Sequence, residues 1–254
     1  MERNLPLTGN KDADLLILSK LDDKDLFSFC ASESKNKNVH KLCNDETFWR
    51  NRFIQKYNPT SDWSEKQKNW KRNYLKLTYY INKLKEQHPT YSLYSIMDWA
   101  LYESAKDGNL DIIDFLISKG FNNEYKILKG AIETDNQNLI DFYNQKRAFG
   151  KAGYDILLRF AVEANNKRMV DYYFDKAEYH EYAIRGAFEK NNYEMLKYLY
   201  DKMGEVSILS DKTLKEHFHE SLEKYGSHNK ITGFYLEEKK RRLDNKFPLR
   251  KNKR

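Results

Sequence analysis

This sequence is short of everything that breaks or staples a chain. Its 254 residues include four prolines, ten glycines and two cysteines. Scarce proline and glycine exclude collagen-like and low-complexity architectures and leave long stretches free to be helical. Two cysteines exclude a multi-bridge secreted scaffold, and Cys30 and Cys43 lack the neighbours that a zinc site or a Cys-x-x-Cys redox motif needs, so both are expected to be small buried residues. Hydrophobic residues make up 40% of the chain. No run approaches the ~18 consecutive apolar residues of a membrane span, and Met1-Glu2-Arg3-Asn4 offers no signal-peptide core, so a soluble intracellular protein is expected.

Catalytic signatures are missing too. Gly150-Lys151 has Gln145 where a P-loop needs its first glycine and Ala152 where it needs Ser or Thr. No His-Glu-x-x-His, Gly-x-Ser-x-Gly or dinucleotide glycine fingerprint occurs. Asp22-Asp23-Lys24-Asp25 lacks the glycine and distal glutamate of a calcium loop and reads as a helix cap. No enzymatic activity, cofactor or metal is expected.

Aromatic residues are plentiful, with 19 Tyr and 14 Phe, so rings must fill much of the interior. The net charge of +7 is concentrated at one end. Between residues 237 and 254 lie Lys239, Lys240, Arg241, Arg242, Lys246, Arg250, Lys251, Lys253 and Arg254 against Glu237, Glu238 and Asp244, which leaves the rest nearly neutral. A body so balanced gives no reason to expect a broad phosphate-binding face. The tail reads as a nuclear-import signal, an anion contact or a solubilising end, and nucleic acid is expected to bind through it or not at all.

Along the chain, Leu15, Leu18 and Leu21 recur at helical spacing, with Leu16 and Ile17 widening the apolar surface beyond what one short helix can bury by itself. Asp22 or Asp23 caps the helix that follows. Asn58-Pro59-Thr60-Ser61 is a turn. Ser64-Glu65-Lys66-Gln67 has the form of a capping box opening a helix through Trp70, Tyr74, Leu77, Ile81 and Leu84, which stops before His88-Pro89. Trp63 and Trp70 read as interface core.

The residues Asp14-Leu15-Leu16-Ile17-Leu18-Ser19-Lys20-Leu21, Asp25-Leu26, Phe29-Cys30, Leu42-Cys43-Asn44-Asp45-Glu46 and Phe48-Trp49-Arg50-Asn51-Arg52-Phe53 together resemble an F-box. That resemblance implies a helical module that binds a Skp-type adaptor of cullin ubiquitin ligases, with Leu15, Leu16, Ile17, Leu18, Leu21, Leu26, Phe48 and Trp49 as the adaptor-binding residues.

A weak repeat follows. Ser104 to Phe115, Ala131 to Phe142, Ala161 to Tyr172 and Ala187 to Tyr198 each carry a small residue, a polar turn centred on Asn, and an apolar pair. The small residue lets helices approach, the Asn tolerates a left-handed turn, and the apolar pair opens a second helix that packs back; such pairs hide their faces only by stacking. The pattern resembles degenerate ankyrin repeats, and a distorted fifth copy is expected at Glu216 to Tyr235. An F-box-like module ahead of ankyrin-like repeats is similar to an arrangement found in large DNA viruses.

The expectation is therefore an all-α chain: F-box-like module at 1–57, linking helical segment at 58–96, a short solenoid of ankyrin-like helix pairs at 97–236, and a basic tail at 237–254. The resemblance implies a substrate receptor that recruits an unknown target, held on the repeat surface, to a cullin-type ubiquitin ligase in host cytoplasm or nucleus. The alternative is a virion-associated scaffold that binds protein or nucleic acid through its repeats and tail.

Overall fold

The computed structural model describes residues 7–32, 36–146, 149–203, 215–216, 219, 222–226 and 230–246, with backbone alone for 241–246. Every regular element among them is a helix. Contacts divide the chain into two compact units, Met1–Asn123 and Glu124–Arg254.

Unit 1 holds α1 (Lys11–Ser19), α2 (Asp23–Ser32), α3 (Lys37–Cys43), α4 (Glu46–Tyr57), α5 (Ser61–Lys66), α6 (Trp70–Gln87), α7 (Leu93–Lys106) and α8 (Leu110–Ser118). Short polar side chains start most of these helices, because an oxygen at the N-cap satisfies backbone N–H groups that have no partner within the helix. Asn10, Asn36, Asp45, Thr60, Ser92 and Asn109 all do so. The expected helix from Ser64 is in fact two: α5 is capped by Thr60, the chain extends at Gln67, and α6 begins at Trp70. The Ser64 hydroxyl donates back to the Thr60 carbonyl, so Ser64 sits inside a helix and caps nothing.

The core of unit 1 is a cluster of rings. Phe53 stands 5.1 Å from Trp63 and 5.2 Å from Phe115, centre to centre, and Trp63 lies 5.2 Å from Phe115 and 5.5 Å from Trp70. Trp49 packs 5.3 Å from Tyr74. Mostly edge-on and tilted contacts of this kind let the rings fill space with few aliphatic side chains. Trp63 and Trp70 are both buried there, and α6 lies between α4 and α7.

Unit 2 holds α9 (Glu124–Glu133), α10 (Gln137–Lys146), α11 (Lys151–Glu163), α12 (Lys167–Phe174), α13 (Glu181–Glu189), α14 (Tyr193–Met203) and α15 (Lys230–Lys246). Here α11 packs between α9 and α13, while α10, α12 and α14 each pair with the helix before them. Residues 217, 218, 220, 221 and 227–229 of the expected fifth copy lie outside the described residues.

One turn recurs in both units. The amides of Asn109, Asn136, Asn166 and Asn192 donate to the carbonyls of Ser104, Ala131, Ala161 and Ala187, at 2.8 to 2.9 Å. The same asparagines accept from Ile112, Leu139, Met169 and Met195 and so cap the next helix. The left-handed residue is the one before, an asparagine at Asn165 and Asn191 as expected, but Gly108 and Asp135 in the other two turns. Within unit 2 the turns are also tied together: the Asn166 amide donates to the Ile132 carbonyl and Asp135, and the Asn192 amide donates to Asn165. The small residues Ala131, Ala161 and Ala187 are fully buried, as close helix approach demands.

Candidate functional site

The leucine-rich start was expected to be a docking surface, and the first question is which of its side chains point outward. Asn10 caps α1, and the Asp14 carboxylate is buried, accepting from the Thr8 amide and hydroxyl and the Gly9 amide. That fixes the roll of the helix. Asp14 and Leu18, four apart, face inward together, and Leu16 points away. Leu18 is 0% exposed and Leu16 61% exposed; Leu15, Ile17 and Leu21 are half-buried.

Of the other residues expected to meet an adaptor, Leu26, Phe48 and Trp49 are buried like Leu18. The Trp49 indole N–H donates to the Cys43 carbonyl at 2.9 Å, so even its polar atom is used internally. Leu18, Leu26, Phe48 and Trp49 are thus enclosed by this chain, and only Leu15, Leu16, Ile17 and Leu21 are left to face a partner. Sequence spacing placed a helix here but not its roll, which is set by the Thr8–Asp14 bonds.

The ledge is braced by Arg52. Its guanidinium donates to the carbonyls of Leu21 (2.7 Å) and Ser19 (3.4 Å) at the end of α1, to Asp23 (2.8 Å) at the start of α2, and to the Tyr74 hydroxyl (3.1 Å). A cation suits a helix C-terminus and an anion a helix N-terminus, so the one pair serves both helix ends. Burial pushes the Asp23 carboxyl up, but bonds from Lys56, Tyr74 and Arg52 outweigh it and hold it below the ordinary value. Burial and the bond to Asp23 push Tyr74 up to about 12.

Cys30 and Cys43 are not independent small residues: they form a disulfide between α2 and α3, with Cα atoms 5.8 Å apart. Spacing showed no metal or redox motif and could not show that α2 and α3 bring two side chains 13 residues apart into contact. In the basic stretch, α15 runs to Lys246, so residues 237–246 are helical where a separate tail was expected. Lys239 and Lys240 are exposed on it; the side chains of Arg241, Arg242 and Lys246 and all of Arg250, Lys251, Lys253 and Arg254 lie outside the described residues.

A shallow groove of about 550 Å³ on unit 1 is lined by Glu46, Lys71, Arg72, Leu75, Lys76 and Tyr79. Several of its polar groups are committed to structure: the Lys71 ammonium donates to Asn44, the Lys71 backbone amide donates to Glu46, and Lys76 pairs with Asp107. Among the described residues no group of three or more His, Cys, Asp or Glu could hold a metal ion, and no helix is long and apolar enough to cross a membrane. No family model matches the chain, and it matches no curated protein and no solved structure.

Proposed function

We propose that this chain is an adaptor-bound substrate receptor: the α1 ledge docks on a Skp-type adaptor of a cullin ubiquitin ligase, and unit 2 holds a target protein. The observation that carries the reading is the outward Leu16, flanked by half-buried Leu15, Ile17 and Leu21, on a helix whose opposite face is locked by Asp14 and Leu18. Apolar surface of this kind at one small place gains free energy when another chain covers it. The order of motifs through Trp49-Arg50-Asn51-Arg52-Phe53, which resembles an F-box, names the partner. The chain itself does no chemistry in this reading; holding target and ligase together raises their effective concentration to roughly millimolar.

Purified full-length chain mixed with a Skp-type adaptor on a sizing column tests it. Co-elution as one complex is expected. Separate elution at micromolar concentrations overturns the reading.

A further inference from the structure

Four helices in this chain open with the same capped turn, and each carries an aromatic ring six residues after its capping Asn and a lysine ten residues after it. The rings are Phe115 (α8), Phe142 (α10), Tyr172 (α12) and Tyr198 (α14); the lysines are Lys119, Lys146, Lys176 and Lys202. The neighbouring positions behave alike in all four: the apolar pair three and four residues after the Asn, and the residue seven after it, are buried throughout. The ring position does not. Phe115 is 0% exposed, whereas Phe142 is 58% and Tyr172 42% exposed, and Tyr198 is half-buried.

What encloses Phe115 is visible. Phe53 and Tyr57, four apart on α4, and Trp63 on α5 pack their rings on it, the Trp63 indole donates to the Asp111 carbonyl at 2.9 Å, and the Lys119 ammonium donates to the carbonyl of Asn58, the C-cap of α4. An aromatic helix seats its rings on the ring position and offers its C-terminal carbonyl to the lysine. In unit 2 the three equivalent helices lie side by side, linked by the bonds between Asn144 and Tyr173 and between Tyr198 and Asp171. Their lysines sit over these rings, Lys176 3.3 Å from the centre of Tyr172, Lys202 5.6 Å from Tyr198 and Lys146 5.9 Å from Phe142, with Lys202 also paired to Asp171 and Lys146 to Glu124. Exposed rings scattered singly need no explanation, but two exposed rings and a half-buried third at one register of three neighbouring helices form a surface.

We infer that the face of α10, α12 and α14 bearing Phe142, Tyr172 and Tyr198 docks a helical segment of another protein that presents aromatic side chains four residues apart and a carbonyl-rich or acidic C-terminal end to the lysines. The inference deepens the reading of unit 2 as the target-holding surface and names the chemistry of the target.

The probe is a synthetic, fluorescently labelled peptide of this chain's own residues 46–66, which carries Phe53, Tyr57 and Trp63, titrated against full-length chain by polarisation. Binding is expected, at least tenfold weaker to a Phe142→Ser/Tyr172→Ser chain and for a Phe53→Ser/Trp63→Ser peptide. No binding to the intact chain, or equal binding by either variant, overturns the inference. Phe142 and Tyr172 are exposed, so the variant chain is expected to fold and to keep its adaptor complex on a sizing column. A chain that binds adaptor but not peptide overturns the docking face and leaves recruitment standing; one that binds peptide but not adaptor does the reverse.

Discussion

Arg52 and Asp23 meet at 2.8 Å where α1 ends and α2 begins, and through Arg52 the same contact satisfies the carbonyls of Ser19 and Leu21. Both partners are largely shielded, with 12% and 22% of their side chains exposed. Arg52→Ala removes the cation and leaves Asp23 to Lys56 and Tyr74. It should lower the stability of unit 1 by about 2 kcal/mol, read from the urea midpoint; Arg50→Ala, on the exposed face of the same helix, should cost about 0.5 kcal/mol or less.

The same cluster sets the response to pH. The folded pKa of Asp23 lies below its ordinary 3.8, so its contribution is full above that value and is lost as pH falls through the depressed one. Tyr74 is raised from 10.0 to about 12, with burial again pushing Tyr57 and Tyr80 the same way, so that contribution is full below pH 10.0 and drains away as pH rises toward 12. Asp23→Asn should shrink the acid limb of a stability–pH curve and Tyr74→Phe the alkaline limb. Because the two groups are bonded, each change should also weaken the other limb, while Tyr57 and Tyr80 keep part of the alkaline one.

Neighbouring residues in one turn should respond with opposite sign. Asn191 holds a left-handed conformation at φ 50°, which glycine adopts freely, so Asn191→Gly should stabilise unit 2 by about 0.5 kcal/mol. Asn192 caps α14 and bonds Asn165, so Asn192→Ala should destabilise it by about 1 to 2 kcal/mol. Thermal melts of the two variants decide the matter.

The helical character and the repeated turns were legible because they rest on local rules: the alternation of small residue, Asn and apolar pair survives in Ala131 to Phe142 and Ala161 to Tyr172 whatever surrounds them. What escaped depends on contacts distant in sequence. Leu18 and Leu16 are equally apolar, and only the Thr8–Asp14 bonds decide which faces inward. Phe115 and Phe142 occupy one register, and only α4 and α5 make their fates differ. The Cys30–Cys43 bond belongs to the same class. A signal was present for the aromatic face, in the ring and lysine that recur at fixed distance from each Asn.

The disulfide ties α2 to α3 and includes no residue of α1. Closing a loop of 13 residues is worth about 3 kcal/mol in the chain-entropy account. Reduction, or Cys30→Ala/Cys43→Ala, should therefore lower the urea midpoint of unit 1 while leaving adaptor affinity within about twofold, measured on protein that is still folded.

Recruitment itself is tested most directly by calorimetric titration of a Skp-type adaptor with full-length Leu16→Asp chain. Withdrawing one leucine from an interface is worth roughly 1.5 to 3 kcal/mol, which corresponds to an affinity loss of about tenfold or more. That loss is predicted, with an unchanged melting temperature because Leu16 makes no part of the core. An affinity equal to that of the unaltered chain would contradict the account.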